Sequence, residues 1–163
     1  MKSLVLYSSQ SGNTKKLADT VYATLPEPKE IFSLDNAPES LADFDLITLG
    51  FWFQGGNPDA KSQEYLPAIG DKKLFLFASH GAAQGSEHVK KGMNAARQAA
   101  SASKIVGTFS CQGEVNPKVI ETAQKKPEPP PWIADAPKAQ GHPNQEDLAS
   151  LMENVQGIIA TLS

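Results

Sequence analysis

Apolar residues recur along the chain in two alternating patterns, continuous runs and longer stretches with helical spacing. The continuous runs fall at residues 2–8, 30–34, 45–51, 73–79 and 104–111. Short unbroken runs of this kind are typical of strands that are buried on both faces. The pattern therefore predicts five strands, of which the second is the weakest.

Between and after these runs, apolar residues three and four positions apart predict helices. The predicted helices begin near residues 13, 57, 86, 116 and 144. Asn57-Pro58 and Asn116-Pro117 are each typical of an N-cap followed by proline at the first helical position. Ser86 and Asn144 are the expected caps of the third and fifth helices. The last helix, which carries an apolar stripe from Leu148 to Leu162, has the strongest signal.

Five strands separated mostly by helices predict a parallel sheet covered on both faces, a three-layer doubly wound α/β sandwich. The stretch "KPEPPPWIADAPKAQGHP" at 126–143 breaks the alternation, because so many prolines exclude a regular helix. Only one element follows this proline-rich excursion, and that element needs the sheet for burial. We therefore expect one domain over residues 1–163, with 126–143 as a surface excursion.

Composition and charge narrow the class of protein only slightly. Hydrophobic residues make up 40% and charged residues 20% of the chain, and the net charge of −3 argues weakly against a nucleic-acid-binding surface. Cys111 is the only cysteine, which excludes an internal disulfide and leads us to expect a cytoplasmic location. The apolar runs are too short for a signal peptide or a membrane span.

The segment "YSSQSGNTKKLA" places hydroxyls and glycine at the turn from the first strand into the first helix. Backbone amides at a helix start are unpaired and lie at the positive end of the helix dipole, so this loop suits a phosphate monoester. The patterns GxxxxGK[ST] and GxGxxG are absent, which argues against an NTPase and a dinucleotide site. An ordinary capped turn is the alternative interpretation.

The loops after the later strands offer surfaces for a flat ligand. "GFWFQGGNP" follows the third strand, where Trp52 is either a stacking partner or an ordinary core or rim aromatic. The small residues of "SHGAA", which begins at Ser79, follow the fourth strand and leave room for a ring. "CQG", residues 111–113, follows the fifth strand. We identify no catalytic acid–base pair and no metal-ligating residue.

Taken together, "SSQSGNT", "GFWFQGGNPDAKSQEYL", "FASHGA" and "FSCQGEVNPKVIE" resemble segments of flavodoxin-like proteins. The likeness covers nearly the whole chain. The last three segments look like those of a flavodoxin-like family that is separate from the small electron-transfer flavodoxins. Members of that family are also found beside tetrapyrrole-processing enzymes, such as the flavodoxin-like subunit of bilirubin reductase. The resemblance implies the flavodoxin-like strand order 2-1-3-4-5 with FMN at the switch point, an arrangement for which flavodoxin is the standard example.

The resemblance also implies a set of residues that bind FMN noncovalently. The phosphate is assigned to Ser9, Gln10, Ser11, Gly12, Asn13 and Thr14. One face of the flavin is assigned to Trp52, Phe53, Gly55 and Gly56, where the carbonyl of one of the two glycines turns toward the flavin when it takes up an electron. The other side is assigned to Ser79, His80, Gly81 and Ala82, with Cys111, Gln112 and Gly113 bordering the opening.

Two departures from the family pattern affect this assignment. Gln10 replaces a hydroxyl, although its amide still donates hydrogen bonds. The loop at Ser79 has no aromatic residue, so we expect the flavin to be less enclosed and to leave room for a partner or substrate. Trp132, the other tryptophan, lies in the proline-rich excursion.

Three functions remain open. The first is an electron carrier between a reductase and an acceptor protein. The second is a flavoenzyme, or the flavin subunit of one, that reduces a bound substrate such as a tetrapyrrole. The third is a non-redox module that binds a phosphate ligand.

Several side chains near these loops carry separate expectations. Glu114, Asp59 and Glu64 are expected to be solvated surface charges. Cys111 is expected to be small, inert and partly buried. His80 is either an exposed histidine or a group that faces the flavin and takes up a proton on reduction, near its ordinary pKa of about 6.5.

Overall fold

The computed structural model describes residues 1–163, which form a central sheet with helices on both faces. The strands are β1 (Ser3–Tyr7), β2 (Lys29–Ser33), β3 (Leu46–Gln54), β4 (Asn57–Pro58), β5 (Lys73–His80) and β6 (Lys104–Gln112). The α-helices are α1 (Asn13–Thr24), α2 (Ala60–Tyr65), α3 (Glu87–Ala99), α4 (Pro117–Gln124) and α5 (Gln145–Leu162). Short 3-10 segments occupy Leu34–Asn36, Leu66–Ile69 and Pro131–Ala139.

Five parallel strands follow the order β2-β1-β3-β5-β6, and the two-residue β4 pairs antiparallel with the end of β3. Counting the five main strands alone, this is the predicted order 2-1-3-4-5, which is confirmed. Trp52 pairs in register with Ser79, and His80 pairs with Gln112. The carboxyl ends of the central strands therefore lie side by side, and so do the loops that follow them.

Each face of the sheet has its own apolar core, which confirms the three-layer architecture. Helices α1 and α5 cover one face, and α3 covers the other. Because successive side chains of a strand point to opposite faces, Leu74 and Leu76 join the α3 core while Phe75 and Phe77 join the α1–α5 core. This two-sided burial is the reason that the strand segments are continuously apolar in sequence.

Three of the predicted helix caps are confirmed. The Ser86 side chain accepts a hydrogen bond from the Val89 amide, and the Asn116 side chain accepts one from the Lys118 amide. Asn144 forms a capping box with Asp147, in which each side chain accepts a hydrogen bond from the backbone amide of the other residue. These caps satisfy amides that would otherwise lack partners at the helix starts.

The prediction that Asn57-Pro58 caps a helix is wrong. These residues form β4, in which Asn57 pairs with Gln54 and Pro58 with Phe53. The two-residue turn between the strands has φ of +60° at Gly55 and +79° at Gly56, the signature of a tight hairpin turn that glycine favours. Helix α2 begins two residues later than expected, and its N-cap is Asp59.

The proline-rich excursion contains no α-helix, as expected, and includes the 3-10 segment Pro131–Ala139. Several hydrogen bonds attach it to the carboxyl edge of the sheet, among them one to the loop after β5 and one to the loop after β6. Asp135 Oδ2 accepts from the Ala83 amide at 3.3 Å, and the carbonyl of His142 accepts from the Glu114 amide at 2.7 Å. None of the helices combines the length and apolar composition needed to cross a membrane.

Candidate functional site

A cleft of about 440 Å³ opens at the carboxyl edge of the sheet, where ligands of open α/β sheets bind. The loops after β1, β3, β5 and β6 all contribute to its walls. The predicted site residues that line it are Gln10, Ser11, Asn13, Trp52, Phe53, Gly55, Gly56, Ser79, His80, Gly81, Ala82 and Gly113. The predicted residues that do not line it are Ser9, Gly12, Thr14, Cys111 and Gln112.

The polar loop between β1 and α1 presents unpaired backbone donors. Gly12 is the N-cap of α1 and has a φ of +93°, a conformation that a residue with a Cβ rarely adopts. The Ser9 hydroxyl accepts hydrogen bonds from the amides of Gly12 and Lys15, both at 3.2 Å. Five further amides of this loop and the first helical turn have no acceptor within the protein, those of Ser9, Gln10, Ser11, Asn13 and Thr14. This donor set fits a phosphate dianion.

Thr14 and Asn13 both connect the first helix to neighbouring loops. Thr14 is 1% exposed, and its hydroxyl lies 2.9 Å from the hydroxyl of Ser79. Asn13 Nδ2 donates to the carbonyl of Glu114 at 2.9 Å, and it lies so close to Gly113 that a Cβ there would come within 2.6 Å of this nitrogen. The Thr14 hydroxyl thus holds α1 against β5, and Thr14 does not line the cleft.

Asp59 connects the polar loop to the loop after β3. Its carboxylate accepts hydrogen bonds from the hydroxyls of Ser8 and Ser62, each at 2.8 Å, and from the Ser62 amide at 3.2 Å. The Trp52 amide also points to this carboxylate, at 3.4 Å. Asp59 is 2% exposed, so the expectation of a solvated surface charge is wrong for this residue. Glu64 and Glu114 are exposed, as expected.

His80 is buried under the wall that the β3–β4 hairpin forms. It is 4% exposed, and its ring lies 5.3 Å from the Phe53 ring between centroids, so the alternative of an exposed histidine is wrong. Nδ1 lies 3.0 Å from the carbonyl of Ala82, which places the ring proton on Nδ1, while Nε2 has no partner. Burial lowers the pKa of His80 to about 4, although the bond to Ala82 opposes the shift. The ring is therefore neutral at physiological pH.

Strand β6 ends with Cys111 and Gln112, which do not line the cleft. Cys111 is 3% exposed, and burial raises the pKa of its thiol to about 12, which keeps the thiol protonated and unreactive at neutral pH. Gln112 Nε2 donates to the carbonyl of Ala82 at 3.1 Å, the same carbonyl that His80 contacts. Gln112 and His80 thus hold the loop after β5 in place, whereas Cys111 packs in the α1–α5 core.

Several lining residues were missed by sequence reasoning. These are Gln54, His88, Glu114, Val115, Asn116, Val119 and Trp132. A Cβ on Gly81 would approach Val115 Cγ2 to 2.6 Å and Trp132 Cε3 to 3.6 Å, so these two side chains pack over the loop that lacks its own aromatic residue. A lone tryptophan in a proline-rich segment was the only sequence signal for this wall.

Comparison with known proteins identifies the family of this chain. The model of the family described as flavodoxin domain matches residues 4–156, and the chain belongs to that family. It is 32% identical over 162 residues to the flavodoxin-like domain-containing protein BilS of Clostridioides difficile (strain CD3), covering 91% of this chain and 90% of that protein. It is 23% identical over 174 residues to the BilS protein of Clostridium symbiosum (strain WAL-14163), covering 92% of each.

Solved structures share the fold. Oxidised flavodoxin 2 from Bacillus cereus superposes with a TM-score of 0.68 at 17% identity, over 99% of each chain. A flavoprotein from Lactobacillus acidophilus NCFM, solved in complex with FMN, superposes with a TM-score of 0.55 at 19% identity, over 67% of this chain and 92% of that one. At these identities the likeness establishes the flavodoxin-like fold.

Proposed function

We propose that the cleft binds FMN noncovalently and that the protein carries electrons between a reductase and an acceptor. The main observation in favour is the set of five backbone amides without acceptors, which lies at the edge of an apolar cleft at the switch point of the sheet. Family membership and the structural neighbour solved with FMN support the same cofactor. Bound FMN supplies one- and two-electron transfer.

Different residues of the chain bind the phosphate and the ring system of such a ligand. The amides of Gln10 and Ser11, with those of Asn13 and Thr14, hold the phosphate, and Gly12 sets the turn that exposes them. Trp52 and Trp132 offer aromatic surface to the ring system. The neutral His80 adds no positive charge to the cleft at physiological pH.

Equilibrium titration with FMN, riboflavin and FAD tests the cofactor assignment. Because the donor set is unpaired without a phosphate, FMN is expected to bind at least about tenfold more tightly than riboflavin, the equivalent of one hydrogen bond to a charged group. FAD is expected to bind more weakly than FMN, because no site for an adenine adjoins the phosphate loop. Equal affinities for FMN and riboflavin would refute the phosphate assignment.

Two glycine variants separate binding from stability. Gly12→Ala strains the phosphate loop, so it should weaken FMN binding while riboflavin binding changes little. Gly70→Ala strains another turn with positive φ that lines neither cleft described here, and it should reduce stability without changing the ratio of FMN to riboflavin affinity.

The carrier function is tested by stopped-flow oxidation of the reduced, FMN-loaded protein with cytochrome c. A reduced protein that gives no electrons to this one-electron acceptor contradicts it.

A second candidate is a flavin subunit or flavoenzyme that reduces a bound substrate. It is favoured by one observation, a second cleft that shares a wall with the first. Reduction of a substrate bound in that cleft by the FMN-loaded protein would distinguish this function from simple electron carriage.

A further inference from the structure

A second cleft of about 620 Å³ lies beside the candidate FMN site, between α4, the proline-rich excursion and the tip of the β3–β4 hairpin. The two clefts share five lining residues, Gly55, Gly56, His88, Val119 and Trp132. A ligand in the second cleft therefore lies against the same hairpin and the same tryptophan as a ligand in the first. Its volume is within the range of small-molecule sites.

The lining of the second cleft combines apolar surface with positive charge. Val119 is 49% exposed, an unusual exposure for a branched aliphatic side chain, and Trp132 with Pro130 and Pro131 extends the apolar floor. Lys118 and Lys126 border this floor, and neither ammonium lies within 4.0 Å of a carboxylate. Lys125, which adjoins Lys126 in sequence, differs in that it pairs with Glu121 at 3.2 Å.

We propose that the second cleft binds a flat, apolar carboxylate, an aromatic or conjugated acid whose ring system covers Val119 and Trp132. Its carboxylate would be held by the two unpaired lysines, because a fixed anion gains from two nearby cations on a protein of net negative charge. Binding of the acid is independent of FMN, whereas its position beside a redox cofactor rests on the proposed function. Such an acid would be a substrate for the second candidate function.

NMR shift titration of the uniformly ¹⁵N-labelled protein with 2-naphthoate tests this site, and neutral 2-naphthalenemethanol serves as the matched probe. The acid is expected to shift the amides of Val119 and Thr122 and the indole N–H of Trp132, and to bind more tightly than the alcohol. Lys118→Gln combined with Lys126→Gln should weaken naphthoate binding about two- to tenfold, the range for two exposed ion pairs, and leave alcohol binding unchanged. The control Lys125→Gln should bind both probes as the native protein does.

Without FMN, three results would overturn the proposal. They are equal affinity for acid and alcohol, native affinity in the double lysine variant, and shifts confined to the Gln10–Asn13 loop. Repeating the titration with FMN present separates the two proposals. Simultaneous binding of FMN and naphthoate supports a distinct second site, and competition between them overturns it. If FMN does not bind at all, the proposed function fails, while the FMN-free titration still decides the acid site.

Discussion

The Ser8 hydroxyl donates a 2.8 Å hydrogen bond to Oδ1 of Asp59, a buried contact between residues 51 positions apart. Ser8 begins the polar loop after β1, and Asp59 caps α2 just beyond the β3–β4 hairpin. The same carboxylate also receives the hydroxyl of Ser62. The loop assigned to the phosphate and the loop that carries Trp52 are thus fixed to each other through one buried anion.

We predict that Asp59→Asn lowers the free energy of unfolding by about 1–3 kcal/mol, because the amide replaces an acceptor with a donor and leaves a buried hydroxyl unsatisfied. Urea unfolding followed by circular dichroism measures this change. The control is Glu64→Gln on the same helix, which is exposed and should stay within about 0.5 kcal/mol of the native value. Equal effects of the two variants would show that the Asp59 network contributes no stability.

The strands of the sheet and the helices that cover it could be predicted because consecutive residues carry their sequence signals. The hydrogen bonds of Asp59 could not be predicted. A buried strand such as residues 73–79 is continuously apolar, and the cap at Asn144 is visible in four consecutive residues. Asp59 looks like any polar residue before a helix, since its partner Ser8 is remote in sequence. The burial of His80 was hidden for the same reason, because Phe53 covers it only after the hairpin forms. Trp132 reaches the cleft through the path of the excursion, which proline content alone does not define.

We predict that Thr14→Val lowers the free energy of unfolding by about 0.5–1.5 kcal/mol, the net value of a neutral hydrogen bond, and changes the ratio of FMN to riboflavin affinity less than twofold. The reason is that the Thr14 hydroxyl is bonded to Ser79, and that Thr14 is buried and does not line the cleft. Thr14→Ser retains the hydroxyl and serves as the control. A selective loss of FMN affinity in the valine variant would instead place this hydroxyl on the phosphate.

Both tryptophans line the cleft, so FMN should quench the fluorescence of each. Trp132→Phe leaves Trp52 as the sole tryptophan, and Trp52→Phe leaves Trp132. We expect substantial quenching in both variants, with the greater fraction in the protein that retains Trp52, because this residue lies at the end of β3 beside the polar loop. A greater fractional quenching in the protein that retains only Trp132 would move the stacking role to the proline-rich excursion.

We predict that the low pKa of His80 makes the free energy of unfolding decrease as the pH falls. Its pKa is about 4 in the folded protein and about 6.5 when unfolded, so the unfolded state binds the proton more tightly between these values. The contribution of neutral His80 to the free energy of unfolding is complete above pH 6.5 and is lost as the pH falls toward 4. The loss between pH 7 and pH 4.5 is on the order of 2–3 kcal/mol.

Comparison of urea unfolding at pH 7 and pH 4.5 for the native protein and for His80→Gln isolates this contribution. The free energy of unfolding should fall from pH 7 to pH 4.5 by about 2–3 kcal/mol less in the variant than in the native protein. NMR should show that the His80 ring of the native protein does not titrate between pH 6 and 8. Identical pH dependence in both proteins would contradict the neutral, buried state. The coupling of His80 to flavin reduction, expected near neutral pH from the sequence, is accordingly expected only in acid.

The proline-rich excursion forms a wall of both clefts while contributing no strand to the sheet. Substitutions at the exposed positions of this segment therefore leave the strand pairing in place, because surface residues tolerate change far better than packed ones, whereas Trp132 packs against the α3 core. Exposed residues of that one segment thus offer a way to alter ligand or partner preference without altering the sheet, the polar loop or the β3–β4 hairpin.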